Sequence, residues 1–294
     1  MLDFREMTLG DYAPMKAMQE ASRQTACEYL PGNIYLWGKH YGTQICFIGG
    51  DFYASFSPKF RSYCFPTGGG DPAAALEELR LDAERRGNPF RLFGLFKENC
   101  DLLEQLYPCC FAFAEQRDMA DYVYTASELA ELPGKRYHAK RNHISAFVKA
   151  NSWHYEPMGR NNIAECKAFQ RVWFAANQSK SPAALAQENE VVQAALENFF
   201  ALGFVGGVLF VNREVVGFTL GERVNESVFC THIEKADGSI RGAYPMLNQQ
   251  FAQNALGGYS YINREEDTGD EGLRKAKLSY HPAMLPMEYS AQMR

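Results

Sequence analysis

The chain has 294 residues, 46% of them apolar, with 30 Lys or Arg against 35 Asp or Glu and a net charge of −5. This is ample for one large or two medium cores, and it excludes a chain held to nucleic acid or membrane by bulk charge, though not a local basic patch. Eight cysteines at irregular spacings form no CxxC pair, as expected of reduced thiols in a cytoplasmic protein.

The first residues, MLDFREMTLGDY, carry Asp3 and Glu6 and lack an apolar h-region, so no signal peptide is expected. The longest apolar run, Phe199 to Val211, is broken by glycines and falls short of the ~20 residues a spanning helix needs. Thr8-Leu-Gly-Asp11 reads as a capping box with Asp in place of Glu, opening an amphipathic helix through about Ser22. Short strands follow, roughly Thr43 to Gly49 and Phe52 to Ser57, around the hairpin turn Gly49-Gly50-Asp51.

Ser62 to Pro108 reads as a βαβα unit: the strand SYCF, the turn Gly68-Gly69-Gly70, a helix from Pro72 to Arg86, the strand PFRLFGL and a helix from Lys97 to Tyr107. Phe111 to Tyr124 supplies one or two further strands, and a short helix from Ser127 stops at Pro133. From Gly134 to Tyr155 the composition changes to five Lys or Arg, three His and no acid. If helical, this segment places Arg136, Lys140 and His143 on one face, which suits a phosphate-rich ligand; a solvated basic helix is the alternative. A helix from Asn161 to about Asn177 and a second, opened by Ser181-Pro182 and reaching Leu202, put Trp173, Phe174, Phe199 and Phe200 in a core. Phe204 to Val211 and Val215 to Glu222 form a hairpin around Asn212-Arg213-Glu214.

Ser227 to Pro282 repeats the βαβα order: a strand to Glu234, a turn bearing Gly238 and Gly242, a helix from Ala243 to Ala255, a strand from Tyr259 to Asn263, and a helix from Gly269 to Leu278. Its spacing nearly matches the earlier unit, and Tyr280-His281-Pro282 mirrors Tyr107-Pro108. The expected architecture is therefore α/β, with two tandem modules at 1–130 and 131–294.

Strand alternation places Cys230, His232 and Glu234 on one face, making Glu234 a candidate general base and His232 a relay; a salt bridge to Lys235 or Arg264 is the competing fate for Glu234. Asn263, Arg264, Glu265 and Asp267 lie at the end of the next strand, where parallel sheets bind substrates. Thr268-Gly-Asp-Glu271 reads as a capping box with Arg274 and Lys277 trailing, and Tyr280 is a candidate proton donor. No Cys/His pair has zinc spacing, so no metal site is expected.

VNREVVGFTLGE, THIEKA, GAYPMLNQQFA and above all INREEDTGDEGLRKAKLSYHP resemble the C-terminal catalytic region of bacterial phosphatidylglycerol lysyltransferases and their uncharacterised soluble relatives. KRYHAKRNHISAF resembles the basic helix joining the two halves of that group. The resemblance implies two GNAT-type (N-acetyltransferase-like) modules with mixed sheets flanked by helices, as in the Fem aminoacyltransferases. It implies transfer of an acyl or aminoacyl group from acyl-CoA or aminoacyl-tRNA, as co-substrate, to an amine or hydroxyl. By position it implies a base at Glu234, an acid near Tyr280 and donor phosphate at Gly238, Gly242 and Ala243. Lys135, Arg136, Lys140 and Arg141 would grip phosphates, including those of a tRNA acceptor end. ADGSIRGAY departs from the family's Arg/Gln-x-x-Gly-x-Gly/Ala loop, which weighs against acetyl-CoA. The alternative to an enzyme is a non-catalytic protein of this fold that binds a nucleotide-bearing or anionic small molecule.

Overall fold

The computed structural model describes residues 1–22, 24–177 and 182–294. In chain order it begins with α1 (Leu9–Ser22), α2 (Pro31–Tyr41), β1 (Gln44–Ile48), β2 (Phe52–Ser57), β3 (Ser62–Cys64), β4 (Thr67–Gly68), α3 (Ala73–Arg85), β5 (Arg91–Leu95), α4 (Lys97–Leu106) and β6 (Phe111–Glu115). There follow β7 (Val123–Thr125), α5 (Ala126–Glu131), α6 (His138–Ala150), β8 (Trp153–Pro157), α7 (Ile163–Asn177) and α8 (Pro182–Glu197). The chain continues through β9 (Val205–Val211), β10 (Glu214–Arg223), β11 (Val228–Ala236), α9 (Ala243–Ala255), β12 (Tyr261–Asn263), α10 (Glu271–Leu278) and β13 (Tyr289–Met293).

Two compact units result. The first comprises Met1–Tyr122, Glu265–Lys275 and Met284–Arg294; the second comprises Val123–Arg264 and Ala276–Ala283. Sequence spacing suggests contiguous halves meeting near residue 130, whereas the chain here re-enters the first unit after Arg264 and again after Ala283. The reason is pairing: β13 lies in the first unit's sheet, hydrogen-bonded to β5 and β6, and no turn signal marks that distant partner.

In the first unit the strand order is β1-β2-β3-β5-β13-β6, with β4 on β2; in the second it is β7-β12-β11-β10-β9-β8. Each sheet has a parallel pair joined by a helix, β3 and β5 through α3, β11 and β12 through α9. The remaining pairs are antiparallel. The repeated βαβ element anticipated from spacing is thus present in both units.

Local chemistry explains most boundaries. Thr8 N–H and Oγ1 donate to Asp11 at 2.8 and 2.7 Å, closing the start of α1. The β9–β10 turn holds Asn212 at φ 51° and Arg213 at φ 71°, the paired left-handed geometry that suits a twisted hairpin. The first core gathers aromatic residues such as Phe56, Tyr63, Phe90 and Phe111. In the second unit, Phe147 of α6 and Met246 and Leu247 of α9 pack on Leu209, Val211, Val216 and Ala236 of the sheet. Each such side chain contributes roughly 2 kcal/mol on burial.

Some expectations change. Phe199 is buried but Phe200 is 46% exposed, under the Arg160 guanidinium, and Trp173 and Phe174 are half-buried. The helix before the second hairpin ends at Glu197 rather than Leu202. The proposed Ser181 cap lies outside the described residues. Helix α10 starts at Glu271, capped by Asp270, whose Oδ1 accepts the Leu273 N–H at 2.7 Å; Thr268 sits at φ 48° and is not the cap. Among the described residues, no helix is long and apolar enough to cross a membrane.

Candidate active site

A bulge decides which side chains meet on β11. Thr231 pairs with Gly221 and Ile233 with Leu220, so His232 is an extra residue and the alternation changes phase there. Glu234 consequently shares a face with Thr219, while Cys230 shares the opposite face with Glu222. The simple alternation that put Cys230, His232 and Glu234 together therefore holds for the first two, whose Sγ and Nδ1 lie 3.9 Å apart, and fails for Glu234. The buried His232 side chain meets Glu222, Nε2 to Oε1 at 3.1 Å, and Glu234 turns instead toward α9.

On that α9 face a polar row crosses the sheet. Gly207, Thr219 and Glu234 stand opposite one another on β9, β10 and β11. Tyr155 of β8 lies across Gly207, where any Cβ would strike its ring and hydroxyl. Asn248 of α9 donates to Glu234 Oε2 at 3.1 Å, and Arg264 donates from Nη2 to Oε1 at 3.0 Å. The anticipated salt bridge to Arg264 therefore forms, whereas Lys235 pairs with Glu188.

Four buried polar atoms in this row have no protein partner: Tyr155 Oη, Thr219 Oγ1, Asn248 Oδ1 and Arg264 Nη1. Leaving one such atom unpaired costs about 1–3 kcal/mol, so their concentration around a single carboxylate makes this row the candidate site.

An aromatic wall carries the cations. The Arg264 guanidinium lies 4.9 Å from the Tyr280 ring centre and 5.5 Å from that of Tyr124, and Lys140 Nζ lies 3.8 Å from the Tyr280 ring centre. Burial, together with the neighbouring Arg264 charge, pushes the Lys140 ammonium down to about 8, with Glu234 opposing the shift. Burial pushes the Tyr280 hydroxyl up, so it keeps its proton at neutral pH. Hydrogen bonds fix the wall: Tyr124 Oη to the Lys277 carbonyl at 2.8 Å, Lys277 Nζ to the Arg264 carbonyl at 2.6 Å, and Tyr137 Oη to the Tyr280 carbonyl at 2.8 Å.

The other expected residues lie elsewhere. Arg136 precedes α6 and pairs with Glu128, so it does not share a helical face with Lys140. Arg141 caps α5 through the Leu132 and Gly134 carbonyls, and Lys135 is exposed. At the α9 N-terminus, a Cβ on Gly242 would strike the His143 carbonyl, and the Ala243 N–H already donates to the Ile240 carbonyl at 3.1 Å. That end packs against α6. Gly238 follows Asp237, whose Oδ1 accepts the Ser239 N–H and hydroxyl at 2.8 and 2.6 Å. Asn263 is fully buried on β12, opposite Cys230.

Glu265, Asp267 and Arg274 belong to the first unit. Glu265 has φ 59°, and its carbonyl accepts the Tyr122 N–H at 3.1 Å. Asp267 is buried and accepts two bonds from Arg274, at 2.8 and 2.7 Å, and one from Tyr122 Oη at 2.5 Å. It is an internal anchor. Thr219, Asn248 and Tyr155 went unnoticed in the sequence; the available signal was a single hydroxyl inside the apolar run VVGFTLG and an amide between Leu247 and Phe251.

The chain spans 54% of an uncharacterised Mycoplasmoides gallisepticum protein, about half its length, at 23% identity over 177 residues, or 58% of this chain. A conserved protein of unknown function from Bacteroides thetaiotaomicron VPI-5482 matches with a TM-score of 0.93 at 38% identity, covering 100% of both chains. The structure of L-PGS from Bacillus licheniformis matches at TM-score 0.66 and 12% identity, covering 96% of this chain and 91% of that one. The crystal structure of FemX gives TM-score 0.61 at 9% identity, with 98% and 97% covered. The last two share the fold alone, that of two mixed sheets flanked by helices. Residues 19–292 match the family described as phosphatidylglycerol lysyltransferase, C-terminal, and the chain therefore belongs to that family.

Proposed function

We propose that the second unit transfers an aminoacyl or acyl group to an amine or hydroxyl at the Glu234–Arg264 centre. The observation that carries this reading is the set of unpartnered polar atoms around a carboxylate already fixed by Arg264 and Asn248. Glu234 accepts the proton of the attacking group as it adds to the donor carbonyl. Arg264 Nη1 and Lys140 offer positive charge to the oxyanion that develops, in a buried setting where such charge acts strongly. Collapse of the adduct breaks the donor's acyl bond, and Tyr280, whose buried hydroxyl keeps its proton, protonates the departing group.

Aminoacyl-tRNA is the donor we favour over acyl-CoA. A CoA pyrophosphate needs free N–H groups at the α9 N-terminus, and there the Ala243 N–H is engaged and Gly242 abuts α6. Exposed Lys135, at the head of the basic segment, supplies charge for the acceptor end, and that contact should weaken with salt.

The test supplies purified protein with tRNA charged with labelled amino acids, or with acetyl-CoA and longer acyl-CoAs, plus mixed amine and hydroxyl acceptors. Salt-sensitive transfer from tRNA, abolished in Glu234→Gln and Arg264→Met, is the expected result. Transfer from acyl-CoA alone would overturn the donor assignment, and turnover unchanged in both variants would overturn the site.

A further inference from the structure

We propose that the first unit binds a divalent cation through the carboxylates of Glu28, Asp121 and Glu288. These residues come from three separate segments of the unit. Glu28 lies in the 3-10 turn Cys27–Tyr29 between α1 and α2, Asp121 lies just before β7, and Glu288 immediately precedes β13. One oxygen from each carboxylate falls within 4.8 Å of the others. That spread suits a single ion, since oxygen ligands at ~2.1–2.5 Å on opposite sides of a cation are separated by about twice that length.

The decisive feature is orphaned oxygen. Glu288 is only 2% exposed, and its Oε1 is buried with no partner while the side chain is directed into this set. Glu28 Oε1 is likewise buried without a partner. Acidic groups crowded in a buried volume need positive charge or protons beside them, and a dication supplies the charge while completing the unfilled oxygens.

The surrounding bonds fit the assignment. The Cys27 N–H donates to Asp121 Oδ2 at 3.0 Å, orienting that carboxylate as outer partners of a metal ligand do. Cys27 Sγ stands 3.5, 3.4 and 3.2 Å from carboxylate oxygens of Glu28, Asp121 and Glu266. The ligand atoms of Cys27, Glu28 and Glu266 also fall within 4.8 Å of one another, so Glu28 is common to two adjoining sets. The all-oxygen set favours hard ions, Mg²⁺, Ca²⁺ or Mn²⁺. The expectation that no metal site exists rested on Cys/His spacing, which says nothing about carboxylates assembled from distant parts of the sequence.

The experiment uses the full chain, freed of metal with a chelator and titrated with Mn²⁺ while free Mn²⁺ is followed by electron paramagnetic resonance. Thermal melting with Mn²⁺, Mg²⁺ or Ca²⁺ provides a second readout. Saturable binding of one Mn²⁺ per chain is expected, with a rise in Tm of several degrees. Glu288→Gln and Glu28→Gln, which keep the side-chain shape, should each weaken Mn²⁺ binding at least tenfold, while the exposed Glu226→Gln should leave it unchanged. Absence of saturable binding and of any Tm rise with all three ions would overturn the proposal. So would an affinity unchanged in both carboxylate variants.

Discussion

Two arginine–carboxylate pairs draw their arginines from one short stretch of chain, Arg264 to Arg274, and they are finished differently. In the first unit Asp267 meets Arg274 in a two-pronged contact and also accepts bonds from the Tyr122 hydroxyl and the Gly269 N–H. Both of its oxygens are used. In the second unit Glu234 meets Arg264 through Nη2 alone and Arg264 Nη1 has no partner, while Asn248 and Thr219, both next to Glu234, carry unpartnered oxygens of their own. The difference separates a pair completed within the fold from the pair at which transfer is proposed. Neither ion pairing nor one leftover atom distinguishes them, since Arg117 Nη1, 3.5 Å from Asp267, also lacks a hydrogen-bond partner; the gathering of several such atoms around Glu234 does.

The largest expected effect on stability comes from Asp267→Asn, which removes the buried charge that Arg274 grips and leaves that arginine only its exposed partner Asp118, read as a lower midpoint in chemical denaturation. The Arg274 contact holds the Asp267 carboxyl well below the ordinary range, with the Tyr122 hydroxyl and Gly269 N–H adding to the shift against the opposing effect of burial. Its contribution is therefore complete above the unfolded carboxylate value of ~4 and is lost as pH falls below it, so the wild type should lose this increment in acid while the variant does not.

Arg264→Met should reverse the balance, lowering transfer at least 100-fold in the tRNA assay while destabilising less than Asp267→Asn. An equal or greater loss of stability would place Arg264 with Asp267 among the structural pairs. Gly207→Ala, which drives a methyl into Tyr155, should cost about 1–3 kcal/mol and disturb the polar row, read as a fall in Tm.

Smaller effects sharpen the contrast. The Lys140 ammonium, pushed down to about 8, costs the folded state a half-buried charge at neutral pH. Stability should rise as pH climbs from about 8 towards the unfolded lysine value of ~10.4, because the unfolded chain then holds more protons, and that rise should be missing in Lys140→Met. Thr219→Val removes a hydroxyl that has no partner, so its Tm should stay level or rise slightly while donor binding weakens several-fold.

The local modules were legible because periodicity and turns encode them: α9 runs over the expected Ala243–Ala255, and both βαβ elements appear. Helix α2 was missed although Pro31 at its first turn and the left-handed Gly42 at its end are ordinary boundary signals. Glu234, Arg264, Lys140 and Tyr280 emerged from the sequence as candidates, and the structure gathers them around one ring and one ion pair. Their neighbours were hidden by physics that a strand pattern does not carry. A one-residue bulge moves His232 away from Glu234, and Gly207 matters only through the tyrosine that lies over it. The closure of the α9 N-terminus is equally non-local, since it depends on a carbonyl of α6.

The placement of β13 bears on how the chain acquires its structure during synthesis. The second unit's sheet draws all its strands from Val123–Asn263, whereas the first unit's β5 and β6 are joined only through residues 289–293. On a ribosome releasing residues in order, the earlier sequence therefore waits for the later one, and its β5 and β6 edges stay open while the second sheet can already close. Order of appearance and order of completion are inverted, which leaves the N-terminal unit the one with unpaired strand edges while translation proceeds.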